Sequence, residues 1–393
     1  MVNERMLGLG SARSVIRELF EYGKQRAAVV GPENVYDFSL GNPSVPAPDR
    51  VNEEAIRILQ ENPAAIHGYT SAQGDLTARQ RLADSLNRRF GTDYGPDRLY
   101  ITVGAAASLC CVFNGLTCPG DEFIVFAPYF PEYKVFIEGA GAKMVLIPPD
   151  VPDFQIRLDK FEAAITPSTK GVVVNSPNNP SGVVYTRETL EQLAAILTRK
   201  SEEYGHPIYL VSDEPYREIV FGGVEVPWLP HIYRDTIVCY SFSKSLSLPG
   251  ERIGYVLVPQ SITDGDLVYA AVAGAGRSLG YVNAPSLFQQ VTSLCCELTG
   301  ELSVYEYNCQ LLVNALRGMG YEVPRPGGAF YLFPKALEPD DMAFSRRAKE
   351  FDLLLVPGSG FGAPGYFRLA YCVSTDMIRR SLPKFQALAQ SYL

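Results

Sequence analysis

Histidine is scarce in this chain. Three occur in 393 residues, His67, His206 and His231, too far apart in sequence to suggest a zinc site or a Ser-His-Asp triad. None of the eight cysteines forms a Cys-x-x-Cys pair. Scattered through mostly apolar surroundings, they read as the reduced, buried thiols of a cytoplasmic protein. No apolar run reaches the roughly 20 residues of a membrane span. Met1–Gly10 carries Glu4 and Arg5 where a secretion signal would have an uninterrupted apolar core, so no signal peptide is expected. Basic charge is short as well: 35 Lys and Arg against 43 Asp and Glu leave a net charge of -8, the wrong sign for a phosphate backbone. Nucleic acid and membrane are therefore not expected partners.

What is present suits a globular chain with a large core: 47% hydrophobic and 20% charged residues. Length suggests two or three structural units. Short apolar runs at Leu99–Val103, Phe123–Phe126, Met144–Ile147, Val172–Asn175, Ile208–Ser212, Val238–Ser241 and Ile253–Val258 predict strands. Between them Ala105–Leu116, Leu158–Ile165 and Arg187–Glu203 predict helices. Continuous apolar strands alternating with helices mean a mostly parallel sheet covered on both faces, whose ligands collect beyond the carboxyl ends of the strands. The later segment reads differently. Glu301–Met319 and Thr375–Tyr392 are expected helices, and Gly328–Pro334 and Phe367–Cys372 expected strands, which makes a smaller α+β unit.

The stretch Ser241-Phe242-Ser243-Lys244-Ser245-Leu246-Ser247-Leu248-Pro249-Gly250-Glu251-Arg252-Ile253-Gly254 sets a lysine, a serine and an arginine close together in a loop just after an apolar run. A lysine becomes a catalyst when its amine adds to an aldehyde. Pyridoxal phosphate offers that aldehyde and a phosphate, which a hydroxyl at Ser241 and a guanidinium at Arg252 would suit. The segment resembles the cofactor-lysine signature of the class I/II aminotransferases, a pyridoxal-phosphate family of fold type I that includes aspartate aminotransferase. Every constrained position of that signature is filled.

Further segments supply what such a site needs. Asp213, in Ser212-Asp213-Glu214-Pro215-Tyr216, follows an expected strand; a carboxylate beside the pyridine nitrogen keeps it protonated. The Tyr216 hydroxyl can hydrogen-bond the phenolic oxygen. Val103-Gly104-Ala105-Ala106-Ala107 leaves a strand and opens a helix, where backbone N–H groups favour an anion. The resemblance implies the remaining roles. Asn175-Ser176-Pro177-Asn178-Asn179-Pro180-Ser181-Gly182 resembles the family's Asn-Pro-[Thr/Ser]-Gly motif, so Asn179 donates to the same phenolic oxygen and helps bind substrate. Phe130, in Pro128-Tyr129-Phe130-Pro131-Glu132-Tyr133, stacks on the ring. His67-Gly68-Tyr69 resembles the segment whose tyrosine reaches the cofactor phosphate of a neighbouring subunit, which makes the protein a homodimer with a composite site. Gly41 matches the glycine that admits the substrate carboxylate. Arg368, flanked by apolar residues in Tyr366-Phe367-Arg368-Leu369, binds that carboxylate with both nitrogens. No metal ligand set is expected.

The resemblance implies a three-layer αβα, PLP-transferase-like large domain over residues 42–285 with a seven-stranded sheet. Residues 1–41 and 286–393, with a helix over Ser11–Arg26, would form the small domain. The activity it implies is transfer of the amino group of an L-amino acid to a 2-oxo acid: Lys244 holds the cofactor as an imine and, once freed, moves the α-proton, and pyridoxamine phosphate carries the amine. A C–S β-lyase of the same fold is the alternative. A ligand-sensing regulator fits poorly, since the chain begins directly with the small-domain helix. Aspartate, alanine and aromatic donors all stay open. Arg277 is placed where a second cation for a dicarboxylate would lie, whereas Tyr36, Phe330 and Tyr331 suit an apolar or aromatic pocket. The run Gly274-Ala275-Gly276-Arg277-Ser278-Leu279-Gly280 looks like a dinucleotide-binding loop but follows a helix-like stretch, so that reading is set aside.

Overall fold

The seven apolar runs between Leu99 and Val258 become the seven strands of one sheet in the computed structural model, which describes residues 1–11 and 15–393. They are β1 (Leu99–Thr102), β2 (Glu122–Phe126), β3 (Lys143–Ile147), β4 (Thr169–Asn175), β5 (Tyr209–Asp213), β6 (Thr236–Ser241) and β7 (Gly254–Leu257). Their spatial order is β1-β7-β6-β5-β4-β2-β3. Only β7 runs against its neighbours β1 and β6; every other pairing is parallel.

The apolar runs are continuous because both faces are buried. On β4, Val173 joins a core with Val211, Ile237 and Phe113, whereas Val172 and Val174 join Leu210, Phe161 and Leu193 on the other face. Helices Ala105–Leu116 and Gly265–Ser278 cover the first face, Leu158–Ala164 and Arg187–Tyr204 the second. Each such aliphatic side chain contributes roughly 1.5–3 kcal/mol on burial. Helix ends are set locally. Thr186 caps Arg187–Tyr204 by accepting from Thr189 N at 3.1 Å, and Gly205 ends it in the left-handed region.

The chain divides into two units: Val45–Leu302 with Gly327–Ala329, and Met1–Ser44 with Ser303–Pro326 and Phe330–Leu393. The larger unit runs past the expected limit at 285, because helix Ser286–Leu294 buries Val291 among Val51, Leu82 and Leu86 of that same unit. The smaller unit is α+β. Its strands Val356–Pro357, Phe367–Ala370 and Tyr331–Leu332 form an antiparallel sheet, and Tyr36–Asp37 pairs in parallel with Leu353–Leu354. Helices Val15–Val30, Asp341–Glu350 and Thr375–Gln390 belong to it, as does nearly all of Leu302–Gly318. Of the helix expected over Ser11–Arg26, residues 12–14 lie outside the described residues. The strand expected over Gly328–Pro334 shortens to Tyr331–Leu332; Ala329 has φ 55°, which an extended ladder does not accept.

Candidate functional site

The carboxyl ends of β4, β5 and β6 bring Asn175, Asp213 and Ser241 to one edge of the sheet. Register pairs Asn175 with Asp213 and Asp213 with Cys239, two residues before Ser241.

Asp213 is buried, as the last residue of β5 rather than the first after it. Tyr133 Oη donates to its Oδ2 at 2.5 Å, and Asn175 Nδ2 donates to its main-chain oxygen at 2.9 Å. Among the described residues no hydrogen-bond partner reaches Oδ1. Burial pushes this carboxyl up to about 7; the Tyr133 hydroxyl pulls it back and the nearby Glu214 adds to the rise. A buried acceptor without a donor is costly. A protonated ring nitrogen would supply such a donor.

The turn after Asp213 is locked from behind. Glu214 accepts from Ser212 Oγ at 2.7 Å and from Arg217 Nη2 at 2.8 Å. Arg217 also donates to Val226 O at 3.0 Å and Pro227 O at 3.1 Å, with its guanidinium over the rings of Phe90 and Trp228. Both charges are buried and both are partnered, and the turn they brace carries Asp213 and the buried Tyr216.

Asn179 sits in a buried loop, its backbone N donating to Asn175 Oδ1 at 2.8 Å. Asn178 Oδ1 accepts from Ser181 N at 3.0 Å and from Ser181 Oγ at 2.7 Å. The Ser181 hydroxyl is thus used within the loop.

Lys244 was expected in a loop; it stands in a one-turn helix, Phe242–Ser245, that leaves β6 directly, and it is half-buried. Its neighbour Ser245 is held by Tyr240 Oη at 2.9 Å, which also donates to Glu218 at 2.9 Å. Gly104 has φ 94°, and a Cβ there would meet Arg252 Nη2 at 2.6 Å. Its missing side chain is what lets the guanidinium lie against the start of helix Ala105–Leu116, while Arg252 Nη1 donates to Pro249 O at 2.7 Å. A cation beside the N-terminus of a twelve-residue helix is a place for a phosphate. Ala105 and Ala106 open that helix. Phe130 is half-buried and edge-on to Tyr133, centroids 5.6 Å apart. Tyr69 points to solvent, 98% exposed. These residues fit pyridoxal phosphate at both ends: an acceptor awaiting a ring N–H and a cradle for an anion.

The smaller unit groups its own two candidates. Arg368 is buried, donates through Nη2 to Ser39 O at 2.6 Å, and lies over the rings of Tyr331 and Phe361 at 4.7 and 5.0 Å. A Cβ on Gly41 would overlap the Tyr331 hydroxyl. Arg277 is exposed in the last turn of Gly265–Ser278, and the glycine-rich run around it is helical over Gly274–Ser278 rather than a strand-to-helix loop.

Tyr133, Glu214 and Arg217 were not singled out from sequence. The carboxylate and guanidinium three residues apart could have been; nothing local marks Tyr133 as the partner of Asp213.

A family model described as aminotransferase class I and II matches residues 33–385. The chain is 30% identical over 372 residues to aspartate aminotransferase of Thermotoga maritima, covering 94% of this chain and 95% of that protein. It is 31% identical over 363 residues to aspartate/prephenate aminotransferase of Thermus thermophilus, covering 88% and 89%. The crystal structure of an aminotransferase from Eubacterium rectale superposes with a TM-score of 0.98 at 54% identity, covering 100% of this chain and 99% of that one.

Proposed function

We propose, for a chain that belongs to the class I and II aminotransferase family and is accordingly a pyridoxal-phosphate-dependent transaminase, that it moves the amino group of an L-amino acid of the aspartate, alanine or aromatic type to a 2-oxo acid. The observation that carries this reading is the buried Asp213 oxygen with no donor. Relatives named for aspartate make L-aspartate the first donor to test. When bound, pyridoxal phosphate supplies an aldehyde that captures the amine and a ring that draws electron density from the α-carbon.

The chain's own residues would do the rest. Lys244 would hold the cofactor through Nζ and, once displaced by the incoming amine, take the proton from the substrate α-carbon. Asp213 would keep the ring nitrogen protonated. Tyr216 and Asn179 would donate to the phenolic oxygen. Phe130 would cover the ring face. Ser241, Arg252 and the N–H groups of Gly104, Ala105 and Ala106 would hold the phosphate, joined by the partner subunit's Tyr69 in a homodimer. Arg368, Asn179 and the backbone at Gly41 would bind the substrate carboxylate, the Arg368 guanidinium being buried over the rings of Tyr331 and Phe361. Two features agree with a cytoplasmic enzyme: eight free thiols, and no helix among the described residues long and apolar enough to cross a membrane.

The test is a half-reaction. L-aspartate added to the purified holoprotein should bleach the absorbance of the bound cofactor, and a 2-oxo acid added afterwards should restore it. Bleaching by none of the three donor types, or release of pyruvate and ammonia from cystathionine with no 2-oxo acid acceptor, would contradict the assignment.

A further inference from the structure

Tyr69 is almost wholly exposed on a segment that is otherwise tied down. Asn283 Nδ2 donates to Thr70 O at 3.0 Å, Thr70 Oγ1 at 3.1 Å and Ser71 O at 3.0 Å. Gln289, 1% exposed, donates through Nε2 to Thr70 Oγ1 at 3.2 Å and to Ala284 O at 2.8 Å, and its Oε1 accepts from Asp75 N at 2.7 Å. Upstream, Ser286 Oγ donates to Ile66 O, and Ile66 itself is buried. Downstream, Gln73 O accepts from Ile101 N of β1 at 2.9 Å. The strap from Ile66 to Asp75 is therefore fixed on both sides of a tyrosine that packs on almost nothing in its own chain.

A buried amide such as Gln289 is costly unless its hydrogen-bonding groups are used, and here the strap uses them. A large ring left in water gains no burial energy within the chain. A rigid backbone under an outward side chain makes sense when the side chain must meet a group elsewhere in a set geometry, because the ordering entropy is then spent before the encounter. We infer that Asn283 and Gln289 are positioning residues for Tyr69: by holding the Ile66–Asp75 strap they present its hydroxyl to the cofactor phosphate of the partner subunit. The inference rests on the proposed role of Tyr69 in the partner's site. It adds what fixes that tyrosine, and it ties cofactor retention in one subunit to side chains of helix Ser286–Leu294 and the segment before it in the other.

The experiment measures the rate at which intact holoenzyme loses pyridoxal phosphate on dilution into a trap, followed by absorbance. Tyr69→Phe should speed release about tenfold, the scale of one hydrogen bond to a charged group. Asn283→Ala and Asn283→Asp should speed it by a similar factor; aspartate keeps the volume of asparagine but cannot donate to Thr70 O or Ser71 O. The double variant Tyr69→Phe/Asn283→Ala should be no faster than Tyr69→Phe alone, because the second residue acts through the first. Hydrogen exchange over residues 66–75 should quicken in the Asn283 variants and not in Tyr69→Phe. Wild-type release from Tyr69→Phe would overturn the role given to Tyr69. Fast release from Tyr69→Phe with wild-type release from both Asn283 variants would overturn the strap inference alone, as would a double variant whose effects multiply to about a hundredfold. If Asn283→Ala fails to fold, Asn283→Asp carries the same comparisons.

Discussion

Burial makes Asp213 a poor place for a charge until something positive faces it. With its carboxyl raised from 3.8 to about 7, the cofactor-free fold holds a proton between about pH 4 and 7 that the unfolded chain has released. Stability from this group is then greatest below pH 4, falls as pH rises through that window by at most about 1.4 kcal/mol per unit, and is flat above it. Asp213→Asn should remove that slope from urea midpoints measured across pH 4–8 on cofactor-free protein; an unchanged slope would mean the group does not titrate there. Tyr133→Phe removes the one hydroxyl that pulls the carboxyl down, so the falling limb should extend to higher pH. Lys244, Asp213, Asn179 and Arg252 were proposed from the sequence because each lies in a short, local motif that resembles the family's. Tyr133 was not. It meets Asp213 across 80 positions of sequence, and a tyrosine in an aromatic run reads as core until the tertiary contact is seen.

Among the elements, the turn after β5 depends on a buried ion pair. Arg217→Ala would strand Glu214 without its guanidinium partner and should cost about 3–5 kcal/mol in urea unfolding. A cost near zero would show that the turn is held by other means. The seven sheet strands were readable because each is apolar on both faces, so burial leaves a run rather than an alternation. The helix bearing Lys244 was read as loop, and the two-residue strand Tyr331–Leu332 as part of a longer one. A single turn has no period to detect, and the limit near Ala329 comes from its φ of 55° rather than from hydropathy. The extent of the larger unit was missed for a related reason. Helix Ser286–Leu294 follows the last strand in sequence, and only the packing of Val291 shows which core it serves.

At the scale of the whole molecule, Tyr69 of one subunit and Lys244 of the other would share one site in the proposed homodimer. A hybrid dimer of Lys244→Ala and Tyr69→Ala protomers keeps one site with both wild-type residues. Coexpressed, the pair should give clear activity where Lys244→Ala alone gives none and Tyr69→Ala alone is weak; no gain over Tyr69→Ala would place the tyrosine outside the partner's site. All these assignments depend on which amine carries the coenzyme. Borohydride reduction of the yellow holoprotein, followed by digestion and mass spectrometry, reads this directly. The predicted result is one pyridoxyl-phosphate adduct per chain, on the peptide containing Lys244. An adduct on another lysine, or no adduct at all, would contradict the account.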